Sequence, residues 1–150
     1  WGPGPVEIDW RPTGEGWRGQ RYALSTHPML ILGDARRAEV QPGEQVYSNI
    51  DWSRNPRSAI GITDTGDINV FTVDGRTAAG AGLSTPDLST LLEELGMTAA
   101  INLDGGGSTS LYVADCWLDG IVNSPSDNRA ADHGGSRAVG NGIYLLGEGQ

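Results

Sequence analysis

The clearest periodic pattern of apolar residues lies just after the middle of the chain, where leucines recur at helical spacing. Thr85, followed by Pro86 and Asp87, is typical of a helix N-terminus, and Gly96 is typical of the residue that follows a helix. The stripe falls at positions i, i+3, i+4 and i+7 and consists of Leu88, Leu91, Leu92 and Leu95. The pattern predicts one helix over about 85–96 whose leucines face the core.

Short apolar runs on both sides of this helix predict strands. Residues 58–63 and 68–73 are β-rich and are separated by a polar, glycine-containing turn, so they predict an antiparallel hairpin. Residues 99–103 predict a buried strand. Weaker runs predict strands at 22–25, 29–32, 111–113 and 142–146, with a turn at Pro42-Gly43 inside 40–46. Together they predict an α+β fold with a mixed, mainly antiparallel sheet and one well-defined helix packed on it.

Length and composition predict one loop-rich domain. The chain has 150 residues, 37% of them hydrophobic, and 23 glycines. Residues 1–25 predict an extended Gly/Pro/Trp-rich arm, and 26–150 predict the folded domain. No apolar run approaches the roughly 20 residues that a membrane-spanning helix needs. Because the chain begins at Trp1, we expect a processed form, a fragment, or the ordered part of something longer.

The charge balance excludes some partners. A net charge of −9 argues against nucleic acid and anionic membranes, which are bound mainly through basic residues. A single cysteine and two histidines exclude an intramolecular disulfide and a multi-cysteine zinc site. All ten basic residues are arginines, which either reflects genome base composition or favours bidentate binding of phosphate and carboxylate.

The most informative segment is a glycine turn directly after the strand predicted at 99–103. Asp104 is followed by Gly105, Gly106 and Gly107 and then by the hydroxyl of Ser108. Glycines let a ligand approach backbone N–H groups closely. Such a turn supplies a carboxylate, amide donors and hydroxyls to an anionic or sugar-like substrate, although Asp-Gly turns are also common as plain connections.

Three further polar clusters fall at or near predicted strand ends. They are Arg57-Ser58, Asp74-Gly75-Arg76, and a later loop with Asn123 to Asp127 and then Arg137. If these ends converge, three arginines would face two carboxylates and could clamp a phosphate. Each cluster alone also has an ordinary structural reading as a turn, a surface salt bridge or a strand cap.

Six short motifs, at 56–61, 73–76, 88–96, 102–108, 122–127 and 137–139, stand in one order along the chain. In this order they resemble the phosphodiester glycosidase family, and 26–28 fits more weakly. The resemblance implies hydrolysis of the bond between a sugar's anomeric carbon and a phosphodiester oxygen, which leaves free sugar and a phosphomonoester. It also implies an extracellular or secretory location and a sugar phosphodiester or phosphoglycan substrate.

We assign roles to the candidate residues on this basis. Asp104 is the first choice for base or nucleophile, and Asp74 is the second carboxylate. Phosphate is expected to be held by Arg57, Arg76 and Arg137, with Ser58, Ser108 and the amides of Gly105, Gly106 and Gly107 as further donors. Asn102 and Asn123 are expected to read sugar hydroxyls.

The sequence requires no cofactor. Asp74, Asp104 and Asp127 would be hard oxygen ligands for a divalent cation such as calcium, but none has calcium-loop spacing. Family members usually carry an upstream asparagine-glycine-glycine-phenylalanine type motif, and nothing before Thr26 resembles it. We therefore expect a separate N-terminal fragment of the same precursor to supply the missing part of the pocket; a homo-oligomer is the alternative protein partner. The alternatives are a non-catalytic glycan- or phosphoglycan-binding module and a structural subunit of a larger assembly.

Overall fold

The computed structural model describes residues 6, 8, 20, 22–33, 35–36, 52–116 and 120–146. Within this part, five strands form one sheet: β1 (Met29–Leu32), β2 (Ala35–Arg36), β3 (Arg57–Thr63), β4 (Ile68–Val73) and β5 (Met97–Asn102). Their order across the sheet is β2-β1-β5-β3-β4, and all four pairings are antiparallel. One helix, α1 (Thr85–Glu94), packs against β1 and β5. The predicted α+β class with a single helix on a mainly antiparallel sheet is confirmed.

The β3–β4 hairpin forms as the sequence predicts. The two strands pair from Arg57 opposite Val73 to Ile62 opposite Ile68. Gly66 closes the turn with φ of +88°, a backbone conformation that favours glycine. The amide of Thr63 donates to the carbonyl of Asp67 across the turn, at 3.1 Å.

The helix begins at Thr85, and its N-cap lies one residue before the position that the sequence predicts. Ser84, not Thr85, is the N-cap, because its Oγ accepts a hydrogen bond from the amide of Asp87. Gly96 follows the helix with φ of +84° and donates to the carbonyl of Glu93, as its predicted position implies.

The predicted leucine stripe is only half buried. Leu88 and Leu92 are in the core, whereas Leu91 and Leu95 are exposed. The buried face is rotated toward Ser89, whose Oγ donates to the carbonyl of Leu30 in β1. Leu91 is turned away from that face, and Leu95 lies at the end of the helix. The core is completed by Leu30, Ile31, Ala59, Met97 and Ala100.

Three predicted strands are wrong. Residues 22–25 and 142–146 have no strand pairing, and Tyr22 and Tyr144 are each more than four-fifths exposed. Residues 111–113 contribute only an isolated bridge between Tyr112 and Ile121. The runs at 22–25 and 142–146 have strand-like composition but no neighbouring strand in the described part of the chain, and the run at 111–113 has only its short backbone contact with 120–122. The predicted segment 40–46 and almost all of the predicted arm lie outside the described residues.

Candidate active site

The strand ends that carry the predicted polar clusters lie together at one end of the sheet. β3 begins at this end with Arg57, which pairs with Val73 at the end of β4, and Ala59 of β3 pairs with Asn102 at the end of β5. Because β3 is antiparallel to both neighbours, the residues that follow β4 and β5 emerge beside the start of β3. Asp74 and Asp104 are therefore both carried by segments that leave this end of the sheet.

The glycine turn is seated on the residue that precedes β3. The amide of Gly106 donates to the carbonyl of Pro56 at 2.9 Å, and an added Cβ on Gly105 would lie 2.7 Å from the same oxygen. Gly106 has φ of +62° and opens a short 3₁₀ turn that ends at Ser108. Asp104 is exposed at the mouth of this turn, and its Oδ1 accepts a hydrogen bond from the amide of Gly105 at 2.9 Å. Its carboxylate is accessible to a ligand.

Arg76 borders the turn on one side. Its Nε and Nη2 both donate to Oδ1 of Asn55, at 3.0 and 2.8 Å. This clamp holds the guanidinium against Gly106, where an added Cβ would lie 2.9 Å from Nη1. Asn55 is buried and was not among the predicted site residues; its place directly before the Pro56-Arg57 motif is the only signal in the sequence.

Arg137 reaches the other end of the turn. Its Nη2 donates to Oγ of Ser108 at 2.7 Å, and its Nη1 lies 3.4 Å from Oδ2 of Asp127. The Asp127 carboxylate also packs directly on Gly107, where any Cβ would overlap it. The sequence names Asp127 as part of the later polar loop and as a possible cation ligand, and the structure places it beside Arg137 and Ser108.

Asp74 is engaged by the loop that contains Asn123. Its Oδ1 accepts from Nδ2 of Asn123 at 3.0 Å, and both carboxylate oxygens accept from the amide of Ser124, at 2.9 and 3.0 Å. Asn123 is buried, donates also to the carbonyl of Thr109, and accepts from the amide of Leu111. This arrangement favours a role for both residues in holding the 122–127 loop; their predicted roles as second carboxylate and sugar reader stay predictions.

Arg57 is buried beneath the site rather than displayed in it. Its Nε donates to the carbonyl of Leu83 and its Nη2 to the carbonyl of Ser53, each at 2.9 Å. Ser58 is half-buried, with its Oγ 3.4 Å from Oγ1 of Thr109. The structure brings both residues to the correct end of the sheet, and their contact with phosphate stays a prediction.

Asn102 connects the end of β5 to the segment before β1. Its Nδ2 donates to the carbonyls of His27 and Leu103, and its own carbonyl accepts from Oγ1 of Thr26. Its buried Oδ1 has no hydrogen-bond partner in the described part of the chain. The weakly matching motif at 26–28 thus lies beside a predicted site residue, and Asn102 keeps one free acceptor.

Both signs of charge border the turn. Arg137 is paired with Asp127, Arg76 is bound to Asn55 beside Gly106, and Asp104 is exposed at the mouth of the turn. Close by, hydrogen bonds from Asn128 Nδ2 and from the amide of Gly134, each 2.8 Å long, lower the pKa of Asp132. Among the described residues, no three His, Cys, Asp or Glu side chains are grouped so that they could hold a metal ion. The arrangement can bind an anion on two guanidinium groups and a backbone turn while it leaves the Asp104 carboxylate accessible.

Comparison with known proteins agrees with the motifs. A family model for phosphodiester glycosidases matches residues 3–146. The chain belongs to this family. The resemblance predicted from the motifs is therefore confirmed, and the family is one of glycosidases. The division into an arm at 1–25 and a domain at 26–150 stays a prediction.

Three individual proteins are similar to parts of this chain. A hypothetical protein from Synechocystis shares 31% identity over 65% of this chain and 18% of its own, with a TM-score of 0.52. The catalytic domain of zebrafish N-acetylglucosamine-1-phosphodiester alpha-N-acetylglucosaminidase, auto-inhibited by its pro-peptide, shares 29% identity over 51% of this chain and 23% of its own, with a TM-score of 0.42. The SPbeta prophage-derived uncharacterized protein YomE of Bacillus subtilis is 35% identical over 68 residues, which are 45% of this chain and 11% of that protein. The chain spans less than a quarter of each relative's length.

No helix in the described ranges is long and apolar enough to cross a membrane.

Proposed function

We propose that this chain hydrolyses a sugar-1-phosphodiester and releases free sugar and a phosphomonoester. One observation carries the proposal: Arg76 and Arg137 border the same glycine turn whose first residue, Asp104, presents an accessible carboxylate. Family membership supplies the reaction class. The substrate is a sugar phosphodiester or phosphoglycan, and the proposed location is extracellular or in a secretory compartment, as the family resemblance implies.

The leaving group explains why arginines surround the turn. A departing phosphate is far more acidic than a departing sugar hydroxyl, so protonation by a second carboxylic acid matters less than stabilisation of the anion. Arg76 is fixed by Asn55 and Arg137 by Ser108, so both guanidinium groups are oriented before substrate arrives. The Gly107 amide and the Ser108 hydroxyl add donors along the same turn, whereas the amides of Gly105 and Gly106 are bonded to Asp104 and Pro56.

Asp104 acts on the anomeric carbon, as base toward water or as nucleophile. Its single hydrogen bond from Gly105 fixes one oxygen and leaves the other for the reaction. Asp74 supports the site from behind by holding Asn123 and Ser124, and Arg57 supports it by tying Ser53 and Leu83 together. Asn102 is proposed to read a sugar hydroxyl through its unpaired Oδ1, which is buried in this structure and must become accessible when the substrate binds. Completion of the pocket by a separate N-terminal fragment or a second copy stays a prediction.

The test determines whether the anomeric carbon–oxygen bond or the phosphorus–oxygen bond is cleaved. The 150-residue chain is incubated with N-acetylglucosamine and glucose 1-phosphodiesters in water labelled with heavy oxygen, and both products are analysed by mass spectrometry. We expect the label in the released sugar, since the anomeric carbon–oxygen bond is cleaved. Label found only in the phosphate would mean phosphodiesterase chemistry, and binding of substrate without release would mean a glycan-binding module; either result would overturn the proposal.

A further inference from the structure

The glycine turn carries an acidic residue next to one of its two arginines. We propose that Asp127 makes the site select ligands by their charge. The site accepts a singly charged phosphodiester and disfavours a doubly charged phosphomonoester. The inference rests on the proposed function, because it names the charge class of substrate and product at that same site.

Contacts place the Asp127 carboxylate within reach of any anion bound at the turn. It packs on Gly107, one of the glycines whose amides are proposed to hold phosphate, and only the missing Cβ allows this approach. Its Oδ2 lies 3.4 Å from Nη1 of Arg137, whose Nη2 is held by Ser108 at 2.7 Å. The side chains of Arg137 and Asp127 are 50% and 38% exposed, so a ligand can reach both.

The local charge count then decides which ligand is favoured. Two guanidinium groups, Arg76 and Arg137, border the turn together with two carboxylates, Asp104 and Asp127, so the turn has no net positive charge of its own. A phosphodiester brings one negative charge, whereas a phosphomonoester brings about −1.5 to −2 at pH 7. Repulsion from Asp127 grows with the charge of the ligand. Substrate is therefore tolerated, and the phosphomonoester product is expelled.

The experiment uses inorganic phosphate at pH 8, where it is a dianion, at constant ionic strength. Phosphate is titrated into the wild-type chain, Asp127→Asn and Asp64→Asn, and the Gly107 amide and Arg137 guanidinium signals are followed by NMR. Asp64→Asn is the matched control, since it removes the same charge from the exposed turn at the far end of β3. We expect Asp127→Asn to bind phosphate about 15-fold more tightly, the effect of one carboxylate charge a few ångström from a dianion in a solvated site. Asp64→Asn should match wild type.

Equal or weaker binding by Asp127→Asn overturns the inference, and so does an absence of phosphate binding in all three proteins. Loss of fold is checked by the dispersion of the same NMR spectra, and Asp127→Ser provides a second variant that also removes the charge. The outcome is separate from the proposed function. If Asp127→Asn binds phosphate more tightly but the wild-type chain releases no sugar, this inference is supported and the proposed hydrolysis is contradicted.

Discussion

Asp74 and Asn123 are separated by 49 positions in the chain and are joined by a hydrogen bond of 3.0 Å from Nδ2 of the amide to Oδ1 of the carboxylate. The Ser124 amide donates to the same carboxylate, so the residue after β4 holds the loop that leads to Asp127. This contact connects the end of β4 to the 122–127 loop, which carries Asp127.

Asp74→Asn should destabilise the protein. The amide oxygen can keep the position of Oδ1 and its bonds from Asn123 and Ser124, but the NH2 group that replaces Oδ2 faces the Ser124 amide donor to donor. Because Asp74 is exposed, we expect the free energy of unfolding to fall by only about 1 kcal/mol. Urea denaturation measures this, with Asp64→Asn as the variant that should not change. Equal stability of both variants would show that the loop does not depend on Asp74.

Arg57→Lys should lower the free energy of unfolding more than Asp74→Asn does. Arg57 is 2% exposed and donates to the carbonyls of Ser53 and Leu83 in two directions, which a lysine ammonium on one flexible stem cannot reproduce. We expect a loss of about 2 kcal/mol in unfolding free energy. Arg54→Lys is the matched control, because Arg54 is exposed and lies 3.8 Å from Asp87. Unchanged stability of Arg57→Lys together with weaker phosphate binding would instead place Arg57 on the ligand.

Gly107→Ala should be coupled to Asp127. The new Cβ must displace the Asp127 carboxylate and with it the contact to Arg137. We expect a cost of about 1–2 kcal/mol in the wild-type background and less than half of that beside Asp127→Ser, where the space is free. Gly140→Ala is the control, since nothing lies within 4 Å of its added Cβ. An equal cost in both backgrounds would rule out the contact.

The Asp132 carboxyl should titrate below its ordinary value of 3.8. The Asn128 side chain contributes most to the lowered pKa, and the Gly134 amide adds to it. A carboxyl whose pKa is lowered in the folded state stabilises the fold at any pH above its pKa in the unfolded state. This contribution is lost as the pH falls through the folded-state pKa. An NMR titration of Asp132 measures it. The pKa should rise toward the ordinary value in Asn128→Ala, and an unchanged midpoint in that variant would contradict the assigned cause.

The sequence predicts those parts of the fold in which local pattern and tertiary structure agree. The β3–β4 hairpin has both an alternating run and a glycine turn, and α1 has caps at both ends. The run at 142–146 has strand composition alone, and composition does not supply a partner, whereas the run at 111–113 finds only an isolated bridge to Ile121. Leu91 has the right spacing, but the face that meets the sheet is set by Ser89 and its bond to Leu30.

The site follows the same division. Convergence of Arg57, Asp74 and Asp104 could be predicted because antiparallel pairing alone brings those strand ends together. The approach of Asp127 to Gly107 joins two loops without regular structure, and a missing Cβ leaves no pattern that names its neighbour. Burial of Arg57 is likewise decided by carbonyls from two other loops, which spacing along the chain does not show.

The most direct test of the account is the turnover of Asp104→Asn on a sugar-1-phosphodiester, compared with wild type and Asp64→Asn. Asparagine can still accept the hydrogen bond from Gly105, so the turn should keep its shape while the base or nucleophile is lost. We predict that kcat falls at least about 100-fold in Asp104→Asn, with the fold and phosphate binding retained, and stays unchanged in Asp64→Asn. An Asp104→Asn variant that releases sugar at the wild-type rate would contradict the account.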